Sequence, residues 1–82
     1  MSLPRRLLHL LLSPGAAAAI DIAVEQRRRG DAPVLVLGPG ATGLVPPTEI
    51  ESVRLTGQRG TGTIGYRELL ELIDEASSVI VW

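Results

Sequence analysis

The sequence contains no cysteine, no phenylalanine and no lysine, and it has a single histidine, tyrosine and tryptophan. Without cysteine the chain itself cannot form disulfides, thiolate metal sites or persulfides. The lone histidine, His9, cannot build a metal site without carboxylate or thiolate neighbours, and no Ser-His-Asp set surrounds it. We interpret His9, which lies in a run of leucines, as a satisfied residue of the core or of a strand end. These absences predict a chain with no catalytic set, no metal and no cofactor of its own.

All eight basic residues are arginines, and together with nine acidic residues they give a net charge of −1. Binding to phosphate backbones needs a clear basic excess, so we expect no direct nucleic-acid partner. No apolar run approaches the ~20 residues that span a bilayer, so we expect no membrane partner. Residues 5–19 imitate a secretory signal, but its cleavage would leave too short a remainder to fold. The sequence therefore predicts an uncleaved, cytoplasmic protein.

The length of 82 residues indicates one domain, spanning residues 1–82. The hydrophobic share is 45%, which is more apolar material than a small monomer readily hides. We therefore predict association with other subunits, including copies of this chain.

The first half of the chain has the pattern of a strand, a helix and a strand. Leu7–Leu12 and Val34–Leu37 are apolar runs with the length of strands buried on both faces, as in parallel sheets. Between them, apolar residues at helical spacing predict a helix over residues 15–29. Ser13 is the predicted cap of that helix and Pro14 its first residue. This order predicts a right-handed βαβ unit.

The second half repeats the alternation less regularly. Gly38–Pro47 is rich in helix breakers and predicts a short or irregular connection. A capping-box spacing of Thr48 and Glu51 could start a turn of helix, whereas the alternation of apolar and polar residues favours a strand over residues 50–55. A second helix is predicted over residues 66–76 and a last strand over residues 79–82. The predicted fold is α/β, with a small open four-stranded, mainly parallel sheet and flanking helices.

The segment Gly57–Gly65 holds four of the nine glycines and lies between the predicted third strand and second helix. Its second part reads G-x-G-x-x-G, a pattern that lets a pyrophosphate approach a helix N-terminus. The dinucleotide fingerprint normally follows the first strand, and its acidic ribose ligand comes about 20 residues later, which lies beyond Trp82. A flexible connector is the simplest interpretation. The functional alternative is an anion-binding or nucleotide-binding site whose candidate residues are Arg59, Gly60, Gly62 and Gly65.

Three stretches, taken together, resemble the DsrE/DsrF/DsrH superfamily and most closely its short DsrH/TusB-like branch. The first, Leu8–Pro14, is similar to that branch's LHxLxxSP opening. The second is Gly30-Asp31 before the second strand. The third runs from Arg59-Gly60 through the helix start at Tyr66 to the closing Trp82.

The resemblance implies a flavodoxin-like subunit of a heteromeric complex that relays persulfide sulfur, as in tRNA 2-thiouridine synthesis or sulfur oxidation. It implies DsrE/DsrF-like (TusC/TusD-like) partner subunits. Since this chain has no cysteine, another subunit would hold the reactive thiol, and this one would be non-catalytic. The segment Gly57–Gly65 stands where related subunits place that cysteine. Tyr66 and Trp82 are the predicted subunit contacts, because tryptophan is over-represented at interfaces.

Overall fold

The alternation of strands and helices predicted from the sequence is present in a computed structural model, which describes residues 4–41, 43–56 and 62–82. Five strands and two α-helices follow one another, with a 3-10 helix before α1 and another after β2. In chain order these are β1 (Arg6–Leu11), a 3-10 helix (Pro14–Ala17), α1 (Ala18–Arg28), β2 (Ala32–Leu37), a 3-10 helix (Pro39–Ala41), β3 (Glu51–Leu55), β4 (Thr63–Ile64), α2 (Tyr66–Glu75) and β5 (Ser78–Val81).

The strands form one sheet in the order β4-β3-β2-β1-β5, and every neighbouring pair is parallel. β1 lies between β2 and β5, with Leu8 opposite both Val34 and Val79. The α/β class and the parallel sheet are confirmed. The strand count was wrong, since the described part of the chain has five strands instead of four. The additional strand, β4, is two residues long and lies inside the glycine-rich segment, where its length gives no periodicity to detect.

Each face of the sheet is covered by one helix, which explains why β2 is apolar throughout and why β1 is apolar apart from Arg6 and His9. The face under α1 holds the larger buried cluster, which is formed by Leu11, Ala16, Ala19, Ala23, Leu35, Leu37, Ala41 and Ile50. The face under α2 holds the second cluster, which is formed by Leu8, Val34, Val36, Leu55 and Leu69. Small alanines on α1 allow this helix to approach the sheet closely.

The start of the first helix differs from the prediction. The Ser13 side chain makes no capping hydrogen bond, and the chain enters a 3-10 helix at Pro14 before α1 begins at Ala18. The Ser13 carbonyl instead accepts a hydrogen bond from Ala16 N at 3.1 Å, so a backbone turn starts this segment without the hydroxyl. Thr48 and Glu49 form a single turn, closed by a hydrogen bond from Ile50 N to Pro47 O at 3.1 Å, and this turn does not continue into a helix. The residues from Glu51 onward form β3, as the alternating pattern predicted.

Candidate functional site

The described part of the predicted glycine-rich site, residues 62–65, lies between β3 and α2. Arg59 and Gly60 lie outside the described residues. Gly62 adopts a φ of 72°, a conformation that favours glycine, and its carbonyl accepts a hydrogen bond from Arg54 N at 2.9 Å. Gly65 is the extended N-cap residue of α2, and its carbonyl accepts a hydrogen bond from Leu69 N at 3.1 Å. The two described glycines therefore turn the chain into β4 and then into α2.

A cavity of about 250 Å³ opens beside this turn. Arg54 supplies the cationic side chain among its lining residues, which also include Gly62, Val45 and Ser52. Its volume is below the ~300–1,000 Å³ of common small-molecule sites. The space suits a small anion better than a whole nucleotide.

The N-terminus of α2 is less favourable for an anion than the sequence pattern suggests. Glu68 lies in its first turn, and no side chain caps the helix. A carboxylate at this position already interacts favourably with the positive end of the helix dipole. A bound anion would have to share that end of the helix with Glu68.

The single histidine is fully buried in β1 and makes two side-chain hydrogen bonds. Trp82 Nε1–H donates to His9 Nδ1 at 3.1 Å, so this nitrogen acts as the acceptor of a neutral ring. His9 Nε2 then carries the proton and donates to Gln26 Oε1 at 2.7 Å. Because both ring nitrogens are engaged and the ring is 0% exposed, His9 is positioned as a structural residue. The interpretation of His9 as a satisfied core residue is confirmed.

The two predicted subunit-contact residues occupy different environments. Tyr66 is 65% exposed at the start of α2. Trp82 is half-buried, packs against the cluster under α1 and is bonded to His9 through its indole nitrogen. Their role in subunit contacts stays a prediction.

Apolar side chains are exposed along the carboxyl end of the sheet. Leu12, which follows β1, is 46% exposed, and Val45, in the connection after β2, is 85% exposed. Tyr66, which follows β4, completes the set. Two loops and the first residue of α2 thus each present one large apolar side chain to solvent.

Two residues of these sites were not predicted from the sequence: Gln26, the partner of His9, and Arg54, the cation of the cavity. Gln26 could have been found, because it lies three residues after Ala23 on the apolar stripe of α1, where a polar residue needs a buried partner. Arg54 gave no signal, since an arginine on a strand is ordinarily solvated. Within the described ranges, no group of three or more His, Cys, Asp and Glu side chains could hold a metal ion.

Comparisons with models of known protein families, with curated proteins and with solved structures find no match to this chain. Over the ranges that the structure describes, neither helix has the length and apolar character required to cross a membrane.

Proposed function

We propose that this chain is a non-catalytic subunit of a sulfur-relay complex that transfers persulfide sulfur, as in tRNA 2-thiouridine synthesis or sulfur oxidation. The proposal combines the resemblance to the DsrH/TusB-like branch with the absence of cysteine. In such a complex a DsrE/DsrF-like partner carries the thiol. This chain supplies a docking surface in the cytoplasm.

The observation that carries the proposal is the exposed apolar rim at the carboxyl end of the sheet. Leu12 follows β1, Val45 lies in the connection after β2, and Tyr66 is the first residue of α2. Large exposed apolar side chains grouped in this way are typical of protein interaction sites. Arg54 in the neighbouring cavity places a cation beside the rim, which would favour the anionic persulfide of a partner.

The test is purification of the tagged chain from its native source, with identification of the bound proteins and of their persulfides by mass spectrometry. We expect a cysteine-bearing DsrE-like protein, with the persulfide on its cysteine. Val45→Asp should release this partner, because it places a charge on a side chain that is 85% exposed on the rim.

Ile22→Asp is the matched control, because Ile22 is 39% exposed on α1, away from the rim. It should keep the partner. Recovery of the chain without any cysteine-bearing protein would refute the proposal, and so would equal loss of the partner in both variants.

A second candidate function is a small anion-binding domain, and the cavity that Arg54 lines is the observation that favours it. We expect a higher melting temperature with sulfate or phosphate if this function holds. Arg54→Ala or Arg59→Ala should abolish that shift. Arg29→Ala, an equal change of charge at the exposed end of α1, should leave it intact. No shift with sulfate, phosphate or nucleotides would exclude this candidate.

A further inference from the structure

β5 forms one edge of the sheet and exposes an apolar surface on both faces. Its four residues are all exposed, with Val79 and Ile80 at 38% and Val81 at 61%. Val79 and Val81 are opposite Leu8 and Leu10 and therefore lie on the face of α2, whereas Ile80 is opposite His9 on the face of α1. Charged residues, especially lysine, and prolines usually protect an edge strand from pairing with another chain. β5 contains none of them.

The backbone of β5 presents hydrogen-bonding groups to solvent at Val79 and Val81. Trp82 faces β1, because Trp82 N donates to Leu10 O at 2.8 Å and Trp82 O accepts from Leu12 N at 3.0 Å. The backbone N–H and C=O groups of successive residues point to opposite sides of a strand. Those of Ile80 therefore also point to β1, while those of Val79 and Val81 point outward. A second extended strand can replace water as the partner of both outward-facing residues together.

We propose that two copies of this chain pair through β5, antiparallel, about a two-fold axis at Ile80. The sequence Val79-Ile80-Val81 reads the same in both directions, so antiparallel pairing places Val79 opposite the partner's Val81 and Ile80 opposite the partner's Ile80. The residues that face outward in each copy then meet each other and exchange both backbone hydrogen bonds. The two five-stranded sheets become one sheet of ten strands.

The two-fold arrangement also uses the exposed side of α2. Glu68 and Glu71 line a cavity with Val34 and Val53, so that side of α2 faces β2 and β3. The opposite side, which carries Leu70, is turned toward β1 and β5. Ile73 lies on that side as well, and Leu70 and Ile73 are 66% and 37% exposed.

The exposed apolar area limits the size of the interface. With about 100 Å² for a fully exposed aliphatic side chain, Leu70, Ile73 and the three apolar residues of β5 offer roughly 240 Å² per copy. Because about 60% of the area of an interface is apolar, this apolar area corresponds to a total of about 400 Å² buried per copy. Stable complexes bury about 800 Å² per partner, so we expect a reversible dimer that is populated at protein concentrations up to about 1 mM.

The experiment is sedimentation equilibrium of the purified chain up to about 1 mM, which tests this proposal independently of the proposed function. The natural chain should dimerise. The variant V79K/V81K places lysine opposite lysine at both cross-strand positions and should raise Kd at least about tenfold. The variant V79K/V81E places lysine opposite glutamate and should restore dimerisation to within about threefold of the natural chain.

Circular dichroism verifies that both variants fold. Hydrogen exchange of the natural chain gives a second readout, since the amides of Val79 and Val81 should exchange more slowly as protein concentration rises. A natural chain that remains monomeric at about 1 mM would overturn the proposal. Equal Kd values for the two charge variants, or exchange at these amides that does not depend on concentration, would also overturn it.

Discussion

At the scale of single residues, the buried His9 links two distant parts of the chain. It connects Gln26 on α1 to Trp82, which follows β5, through one hydrogen bond on each ring nitrogen. Within the described ranges, no buried side-chain nitrogen or oxygen lacks a partner. A polar network inside an apolar core stabilises the fold only while each member is satisfied. Trp82 therefore fixes the end of β5 against the core under α1.

Trp82→Phe should destabilise the protein by about 1–3 kcal/mol, because His9 Nδ1 would remain buried without a donor. Urea unfolding measures the change in the free energy of unfolding. Tyr66→Phe is the matched control. It removes a hydroxyl from a ring that is 65% exposed and should change stability by less than about 0.5 kcal/mol. Similar losses in the two variants would contradict a structural role for the Trp82–His9 bond.

At the scale of elements, the 3-10 helix after β2 packs tightly against the end of β1. A Cβ atom added at Gly40 would lie 2.4 Å from Leu12 O, a contact that only backbone movement could relieve. Gly38 N donates to Leu11 O at 2.7 Å and continues the pairing of the two strands into this connection. The glycines in this connection permit close backbone approach, which explains part of its breaker-rich composition.

Gly40→Ala should destabilise the protein by about 1–3 kcal/mol through this overlap. Gly43→Ala lies in the same connection, where an added Cβ would meet no atom within 4 Å. It should be neutral or stabilise by up to about 1 kcal/mol, because alanine restricts the unfolded chain. Thermal and urea unfolding of both variants compare the two sites. A neutral Gly40→Ala would show that the backbone contact with Leu12 can relax at little cost.

The elements also show what the sequence could and could not predict. β2 and α2 were predicted to within a few residues, because an apolar run and a helical stripe are local signals. β4 was missed, since two residues carry no period. The bonds of His9 and the cavity beside Arg54 depend on which elements become neighbours. The order of the five strands determines which elements are neighbours, and this order depends on tertiary packing, which a local sequence pattern does not reveal.

At the scale of the whole molecule, Val45 of the rim and the β5 edge lie on different parts of the surface, although Leu12 of the rim is hydrogen-bonded to Trp82 directly after β5. Val45 follows β2 at the carboxyl end of the sheet, whereas β5 presents its edge at the side. A partner subunit on the rim and a second copy on β5 can therefore bind at the same time. This arrangement allows the predicted hetero-oligomeric and homo-oligomeric contacts to coexist.

We expect the two kinds of variant to act independently. Val45→Asp should lose the cysteine-bearing partner yet still dimerise, and V79K/V81K should retain that partner while failing to dimerise. Mass measurement of complexes purified from the native source distinguishes these outcomes. Loss of both contacts in either variant would indicate that one surface serves both, contrary to the separation of Val45 and β5 in the fold.

The pairing of β5 with β1 has a consequence for folding kinetics. Leu8 and Val79 are opposite each other, although 71 positions (79 minus 8) separate them in the sequence. Such distant contacts require closure of a long loop before they provide any stabilisation, and they slow folding. During synthesis the β5 side of β1 stays open until β5 itself has left the ribosome. Completion of the sheet, and with it the His9–Trp82 bond, is therefore expected to be the late step of folding.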